Sequence, residues 1–449
     1  MLLKNKTFQI AVILFIEGFV SLAYQMLYIK QMTPFVGNSV EVVSWIIGVF
    51  LIALAIGYKV GGSKTPDIED KLIKNFIMAA TVAGFCLSFL FLEAYFTALT
   101  KFVTAYTLMI IYCLIIVFPV TYFLGQTIPL MTNKLKGETV SEISGNVLFL
   151  STIGSFLGAI ITTNVILKYL GVSYTIVISS SLLFILALML SQKKMWITIL
   201  SVAIVFTLYK LNISFEKSNY VATNQYASYE VLRYPQNNSK IFKSNGSNSS
   251  ILIDGKKYGY IKLLDDVLFK KMKIENKNIL VIGAGGFVLS KDVNNNFTYV
   301  DIDPAIKDIA ERFFLHEHIN GDFIAEDGRS YINKTNKIYD VIVLDAFLSR
   351  NSIPEHLSTV EYVKAIKNKL QKDGIFVVNV IGRRDFTDQY TQNIHKTITQ
   401  VFPYCFIQSS AYENEDTNIQ YICMNANDIG KIYTDDRNNS NSDFNKNMD

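Results

Sequence analysis

The first half of the chain is a series of long apolar segments separated by short polar stretches. Seven segments approach the length of about 20 residues that a helix needs to cross a bilayer; they lie near residues 8–29, 40–61, 73–97, 104–130, 146–167, 172–191 and 195–211. Glycines four residues apart, Gly57/Gly61 and Gly154/Gly158, are typical of closely packed helices. The pattern predicts a transmembrane domain of about seven helices over residues 1–212.

The second half changes to short strand-like runs. Three β-rich runs within residues 213–273, separated by Pro, Asn and Gly, predict a small antiparallel region followed by a linker helix. Residues 274–430 alternate apolar strands with helical stretches, and the strands are expected at 279–282, 299–303, 323–327, 339–345, 375–380, 405–408 and 419–424. This order predicts a doubly wound, Rossmann-like α/β domain that binds its ligand at the carboxyl ends of the strands. The tail, 431–449, is rich in Asn, Ser, Asp and Lys, which predicts disorder.

Composition and charge narrow the class of protein. Half of the residues are hydrophobic and only 18% are charged, so a wholly soluble protein is not expected. The net charge of +4 does not indicate a nucleic-acid partner. With seven spans, lysines are more numerous on the side of the N-terminus, and the positive-inside rule puts the C-terminal domain outside the cell membrane. If 195–211 does not span, that domain returns to the cytoplasm, so the side stays open.

Four cysteines, Cys86, Cys113, Cys405 and Cys423, are too few and too scattered for a disulfide scaffold or a zinc site. No metal is therefore predicted. Cys405 and Cys423 fall on the two strands of the final predicted hairpin and could be cross-strand neighbours. They are disulfide candidates if the domain faces outside, and a buried pair of thiols otherwise.

A glycine-rich turn follows the first strand of the α/β domain. Gly283, Gly285 and Gly286 let the backbone come close to a ligand where we expect the strand to turn into a helix. NAD binding is the commonest rival explanation of such a turn. No Arg or Lys stands near Gly286 to bind a pyrophosphate. A nucleoside without phosphates is therefore favoured.

Acidic residues end the next three strands. Asp301 ends the second strand, where an acid can accept both ribose hydroxyls of a nucleoside. Asp327, followed by Gly328, ends the third and can reach the exocyclic amine of an adenine. Asp345 ends the fourth strand, facing the reacting end of the ligand. The glycine turn and the three acids, taken in order, are a much stronger signal than the turn alone.

Residues 279–382 resemble the catalytic domain of spermidine synthases. The resemblance rests on the glycine turn and on the stretches Tyr299–Pro304, Glu326–Gly328, Tyr339–Phe347, Ser352–Leu357 and Leu370–Asn379. The N-terminal half resembles the membrane segments of membrane-bound spermidine synthase-like proteins, at Glu17–Gln25, Gly57–Gly62, Gly125–Pro129 and Asn146–Gly158.

The resemblance implies aminopropyl transfer from decarboxylated S-adenosylmethionine to an amine such as putrescine, with release of methylthioadenosine. It implies that Asp345 orients the amine or takes its proton, that Asp301 binds the ribose and that Asp327 binds the adenine. The acceptor-side candidates are Tyr226, Tyr229, Asp265, Asp266 and His356. The expected partners are the amine and the lipid bilayer, and a homo-oligomer is possible.

The sequence also departs from the family pattern. Gly286 stands where the family usually carries an Asp for the amine end of the donor, and Leu348 stands where a second acid binds the diamine. Phe269-Lys270-Lys271 replaces Tyr-His-Glu. Three functions therefore stay open: aminopropyl transfer, methyl transfer from S-adenosylmethionine, and a non-catalytic transporter or sensor that binds a nucleoside thioether.

Overall fold

The computed structural model describes residues 6–63, 66–134, 140–191, 195–347, 352–410 and 416–426. Leu348 and the tail 431–449 lie outside these residues, so the predictions made for them stay predictions. The chain divides into two compact units. The first comprises the described residues up to Lys257 together with Ala305–His318, Phe347 and Ser352. The second comprises Tyr258–Pro304, Ile319–Ala346 and the described residues from Ile353 onward.

The first unit begins with a bundle of apolar helices. Helices α1–α8 are Lys6–Val36, Val40–Gly61, Ile68–Cys86, Phe89–Leu99, Ala105–Thr132, Ser141–Leu170, Val172–Leu190 and Met195–Asn219. Among the described residues, six of these helices are long and apolar enough to cross a membrane. The pair α3 and α4, bent by 62° in the middle of the apolar segment 73–97, would make a seventh.

Glycines allow the closest helix contacts of this bundle. A Cβ atom on Gly154 would lie 2.1 Å from the carbonyl oxygen of Phe15, and one on Gly158 would lie 2.2 Å from that of Phe19. No side chain fits at such distances, so these glycines let α6 lie directly against the backbone of α1. Gly57 likewise faces the carbonyl oxygen of Tyr122, and its lack of a side chain lets α2 pack closely against α5.

A small antiparallel sheet completes the first unit. Its five strands, β1–β5, pair in sequence order and are Ala222–Thr223, Ser228–Tyr234, Ser239–Ser244, Ser247–Ile253 and Lys256–Lys257. The ring of Phe242 lies 5.7 Å from that of Tyr229 and 5.5 Å from that of Phe314, so the sheet has an aromatic core. The antiparallel region predicted from the sequence is confirmed.

The second unit is built on a seven-stranded sheet in the order β11-β12-β10-β9-β6-β7-β8. Strands β6–β12 are Asn278–Ile282, Asn296–Asp301, Asp322–Ala325, Tyr339–Leu344, Leu370–Arg383, Cys405–Ser409 and Asp416–Met424. Adjacent strands in the series β10-β9-β6-β7-β8 pair in parallel. Strand β12 pairs antiparallel with β10 and forms an antiparallel hairpin with β11. The continuous apolar runs of β6 and β9 are buried, as expected for central parallel strands. The predicted Rossmann-like fold is confirmed.

In the described part of the chain after Lys257 there are five further α-helices. They are α9, Tyr260–Asp265, which continues to Lys271; α10, Ile306–Ile309, which continues to Leu315; α11, Gly328–Lys334; α12, Val360–Lys367; and α13, Gln389–Val401. Helix α10 belongs to the first unit, where its continuation packs on β3, and the other four belong to the second.

One local prediction is wrong, one helix was not predicted, and one strand is longer than expected. The glycine turn after β6 does not lead into a helix, because Gly283, Gly285 and Phe287 all have positive φ angles, which a right-handed helix does not allow. Helix α11 was not predicted. The strand expected at 375–380 is part of the longer β10, Leu370–Arg383, whose pairing register with β9 shifts between Leu370 and Ile375.

Cys405 and Cys423 lie opposite each other on β11 and β12 and form a disulfide. The hairpin of β11 and β12, which forms one edge of the seven-stranded sheet, is therefore cross-linked. Cys86 and Cys113 are buried free thiols in the helical bundle.

Candidate active site

The carboxyl ends of β6, β7 and β9 are tied together by backbone hydrogen bonds. The N–H of Gly283 donates to the carbonyl oxygen of Val300 at 2.9 Å, and the N–H of Asp345 donates to that of Ile282 at 2.8 Å. These bonds continue the ladder one residue past each strand. Because of this, Asp301 and Asp345 lie close to the carboxyl ends of neighbouring strands, where ligands of such folds bind.

Gly283 is required by this junction. Its φ angle is +91°, and a Cβ atom on it would lie 2.3 Å from the carbonyl oxygen of Asp345. Any side chain would force β6 and β9 apart at the point where the two strands end. Gly285 also has a positive φ angle, +51°, and Gly286 follows it in the same turn.

The carboxylate of Asp301 is anchored on the glycine turn. It accepts hydrogen bonds from the backbone N–H of Ala284 at 2.9 Å and from that of Asp303 at 3.0 Å. Burial raises the pKa of Asp301 to about 6, although these two hydrogen bonds act to lower it. Each oxygen of a carboxylate can accept more than one hydrogen bond, so capacity remains for two hydroxyl groups of a ligand.

Asp327 lies two residues beyond the end of β8, not within it as predicted, and caps helix α11. One of its oxygens accepts from the N–H of Ser330 at 2.9 Å, and the other accepts from Nε2 of His356 at 2.7 Å. Burial raises the pKa of Asp327, but the hydrogen bonds from Ser330 and His356 outweigh it and leave the pKa below its ordinary value. Gly328 begins α11 and is buried, and a Cβ atom there would lie 2.5 Å from Cγ2 of Ile282.

Asp345 is held by two neutral hydrogen-bond donors. The hydroxyl of Tyr260 donates to Oδ2 at 2.8 Å, and Nδ2 of Asn379 donates to Oδ1 at 2.8 Å. Burial raises the pKa of Asp345 to about 7, while both hydrogen bonds act to lower it. The pKa of Tyr260 is raised well above its ordinary value by burial and by Asp345, so Tyr260 stays protonated. Asp345 can therefore take up or release a proton near neutral pH.

The two donors are themselves fixed by amide side chains. Asn379 also donates to Oδ1 of Asn418 at 2.9 Å, and Gln420 donates to the carbonyl oxygen of Tyr260 at 2.8 Å. Sequence reasoning assigned no role to Tyr260 or Asn379. Asn379 could have been found, because it interrupts the apolar run of β10, whereas Tyr260 meets Asp345 only through the fold, 85 residues along the chain.

The acceptor-side candidates are spread over both units. Tyr229 is buried against Phe242 in the small sheet, and Tyr226 lies partly buried just before that strand. Asp265 and Asp266 both face Nζ of Lys270, at 3.8 and 2.5 Å. His356 is hydrogen-bonded to Asp327, not to Asp345. Roles for these residues in binding an acceptor stay predictions. The described residues contain no group of three or more His, Cys, Asp or Glu side chains that could hold a metal.

In Tyr260→Phe the hydrogen bond that favours the charged form of Asp345 is lost, so the pKa of Asp345 should rise by about one unit. For any reaction in which Asp345 accepts a proton, the acidic limb of the pH–rate profile should then move to higher pH by the same amount. The profile of kcat/KM measures this shift. Tyr258→Phe is the matched control, because Tyr258 is half exposed two residues away. Identical profiles for Tyr260→Phe and the wild-type chain would show that the hydrogen bond does not tune Asp345.

Comparisons with known proteins agree with this geometry. The model of the spermine/spermidine synthase domain matches residues 263–418. Polyamine aminopropyltransferase 2 of Aquifex aeolicus is 23% identical over 88% of this chain and 83% of its own length. The polyamine aminopropyltransferase of Oceanobacillus iheyensis is 22% identical over 95% of this chain and 90% of its own. Matches of this extent include the N-terminal helices as well as the α/β domain.

Among solved structures, spermidine synthase from Thermotoga maritima is similar to this chain with a TM-score of 0.36 and 18% identity, over 47% of this chain and 79% of that one.

Proposed function

We propose that this chain, whose residues 263–418 form a spermidine synthase-like domain, is a membrane-bound aminopropyltransferase that alkylates an amine with decarboxylated S-adenosylmethionine. The observation that carries the proposal is Asp345, held by Tyr260 and Asn379 at the sheet edge that also bears Asp301. Polyamine aminopropyltransferases similar to this chain over most of their length support the same reaction.

The donor is bound through its nucleoside. Asp301 accepts hydrogen bonds from the two ribose hydroxyls, and Asp327 accepts one from the exocyclic amine of the adenine. The glycine turn at Gly283–Gly286 lies against the nucleoside with backbone alone. Since no helix N-terminus follows this turn, it offers no helix dipole to a phosphate, which agrees with a donor that has none.

The reaction is a displacement at carbon. The uncharged nitrogen of the acceptor attacks the aminopropyl carbon next to the sulfonium, and the carbon–sulfur bond breaks with its electron pair moving to sulfur. Methylthioadenosine leaves as a neutral thioether. The new ammonium gives a proton to the carboxylate of Asp345, whose pKa of about 7 suits that transfer. Tyr260 and Asn379 keep the carboxylate in one orientation toward the attacking nitrogen.

The membrane is part of the proposal. We propose that the six apolar helices of the described residues, with the bent pair α3 and α4, form a multi-pass domain in the cell membrane. Close glycine contacts between α1 and α6 are the kind of packing that helices use in lipid.

The full chain, purified in detergent, tests the proposal when it is given decarboxylated S-adenosylmethionine and a panel of amines. Release of methylthioadenosine that depends on an amine is expected. Methylation of an acceptor from S-adenosylmethionine, with no turnover of the decarboxylated donor, would favour the methyltransferase alternative. Binding of both donors without any turnover would favour the non-catalytic one.

A further inference from the structure

The side chain of His356 is hydrogen-bonded to Asp327, the acid that binds the adenine in the proposed function. Its Nε2 lies 2.7 Å from Oδ2 of Asp327, and the other oxygen of Asp327 is engaged by the N-terminus of α11 through Ser330. The sequence predicted His356 on the acceptor side, near Asp345. An adenine amine would therefore meet a carboxylate whose two oxygens each already accept one hydrogen bond from the protein, and the bond to Oδ2 comes from a side chain.

The backbone around His356 is fixed, whereas its side chain can move. Arg329 donates to the carbonyl oxygen of His356 at 3.0 Å, and Leu357 next to it is buried. The imidazole itself is 48% exposed, and the carboxylate of Asp327 is 32% exposed. Solvent or a ligand can therefore reach both groups, and the imidazole can turn away without unfolding the segment that carries it.

We propose that His356 competes with the adenine of the donor for Asp327, so that the nucleoside binds by displacing the imidazole. This inference rests on the proposed function, since it needs a nucleoside at Asp327. A histidine makes the competition depend on pH, because its protonated form pairs more strongly with a carboxylate than its neutral form does. A lower pH should therefore favour the contact between His356 and Asp327, and a higher pH should favour the binding of the donor.

Other charged and titratable groups surround the pair. Glu326 and Arg329 flank Asp327 on either side, Glu355 precedes His356, and the buried hydroxyl of Tyr362 on α12 interacts with both Asp327 and Arg329. Glu326 forms an ion pair with Lys334 and accepts a hydrogen bond from the hydroxyl of Ser330. Asp301, with a pKa of about 6, adds a pH dependence of its own that all variants at position 356 share.

The test is the affinity of the full chain in detergent for methylthioadenosine, measured by calorimetry at pH 6 and pH 8. This probe carries the adenine and the ribose but no aminopropyl group, so Asp345 does not enter. His356→Ala is expected to tighten binding about three- to tenfold at pH 6 and less at pH 8, the range of one charge-assisted hydrogen bond. His356→Gln keeps a donor at the place of Nε2 but no titratable group, so its affinity should stay near that of the wild type at pH 8 and lose the extra weakening at pH 6.

Two controls make the result specific. His318→Ala removes a histidine whose side chain is 97% exposed and paired with Glu311, and should change nothing. In an Asp327→Asn background, which keeps the helix cap, His356→Ala should bring no gain. Equal or weaker binding by His356→Ala than by the wild-type chain would overturn the inference while leaving the proposed function in place. No binding of the nucleoside by the wild-type chain or any variant would overturn both.

Discussion

Asp345→Asn is expected to lower kcat for aminopropyl transfer by about 10²- to 10⁴-fold, the usual contribution of a positioned proton acceptor. Asparagine has the same shape and can keep partners in Tyr260 and Asn379, but it cannot accept the proton that the new ammonium releases. In the wild-type chain, kcat/KM should rise with pH through about 7 as Asp345 ionises. The variant should lose that part of the profile.

The fold of this variant should not suffer. Since burial raises the pKa of Asp345 from 3.8 to about 7 in the folded state, the folded chain binds the proton more tightly than the unfolded chain. The free energy of unfolding therefore falls as the pH rises from about 4 to about 7, and the full penalty is present above pH 7. Asp345→Asn removes that penalty, so its thermal midpoint at pH 8 should equal or exceed that of the wild type. Asp340→Asn, on the same strand and paired with Lys277, is the matched control for activity. Wild-type turnover by Asp345→Asn would remove Asp345 from the mechanism.

Asp301→Ala is expected to weaken the binding of methylthioadenosine by about 100-fold or more, because two hydrogen bonds from ribose hydroxyls to a charged acceptor are lost. Calorimetry on the full chain in detergent measures this loss. In the wild-type chain, affinity should fall as the pH drops through about 6, where Asp301 takes up a proton and can no longer accept freely.

The alanine variant also leaves the backbone N–H groups of Ala284 and Asp303 without their acceptor. Asp301→Asn keeps one oxygen acceptor for that turn, and its affinity should fall between those of Asp301→Ala and the wild type. Asp308→Ala changes an exposed acid paired with Arg312 and should bind normally. Unchanged affinity in both Asp301 variants would show that the nucleoside, if bound, lies elsewhere.

Much of the fold is readable from the sequence because burial leaves a pattern in it. The central strands of the α/β domain are continuous apolar runs followed by glycine or acid, and the sheet contains all seven of the expected strands. The missing helix after β6 has a physical cause that composition does not reveal. A positive φ angle at Phe287, a residue that normally avoids it, ends any helical path there.

The candidate site was only partly predictable. The positions of Asp301 and Asp345 follow from the rule that parallel strands end at a common edge. The partners of Asp345 do not, because Tyr260 lies on a helix 85 residues earlier and Asn379 lies 34 residues later, and only the fold brings them together. The contact between His356 and Asp327 spans 29 residues for the same reason.

The most direct test of the central claim follows the aminopropyl group itself. The full chain is incubated with decarboxylated S-adenosylmethionine labelled in its aminopropyl carbons and with an amine that supports turnover, and the products are identified by mass spectrometry. We expect the label on the amine and an equal amount of unlabelled methylthioadenosine, with both products formed about 10²- to 10⁴-fold more slowly by Asp345→Asn. A folded chain that binds the donor yet leaves the label on the nucleoside would contradict aminopropyl transfer.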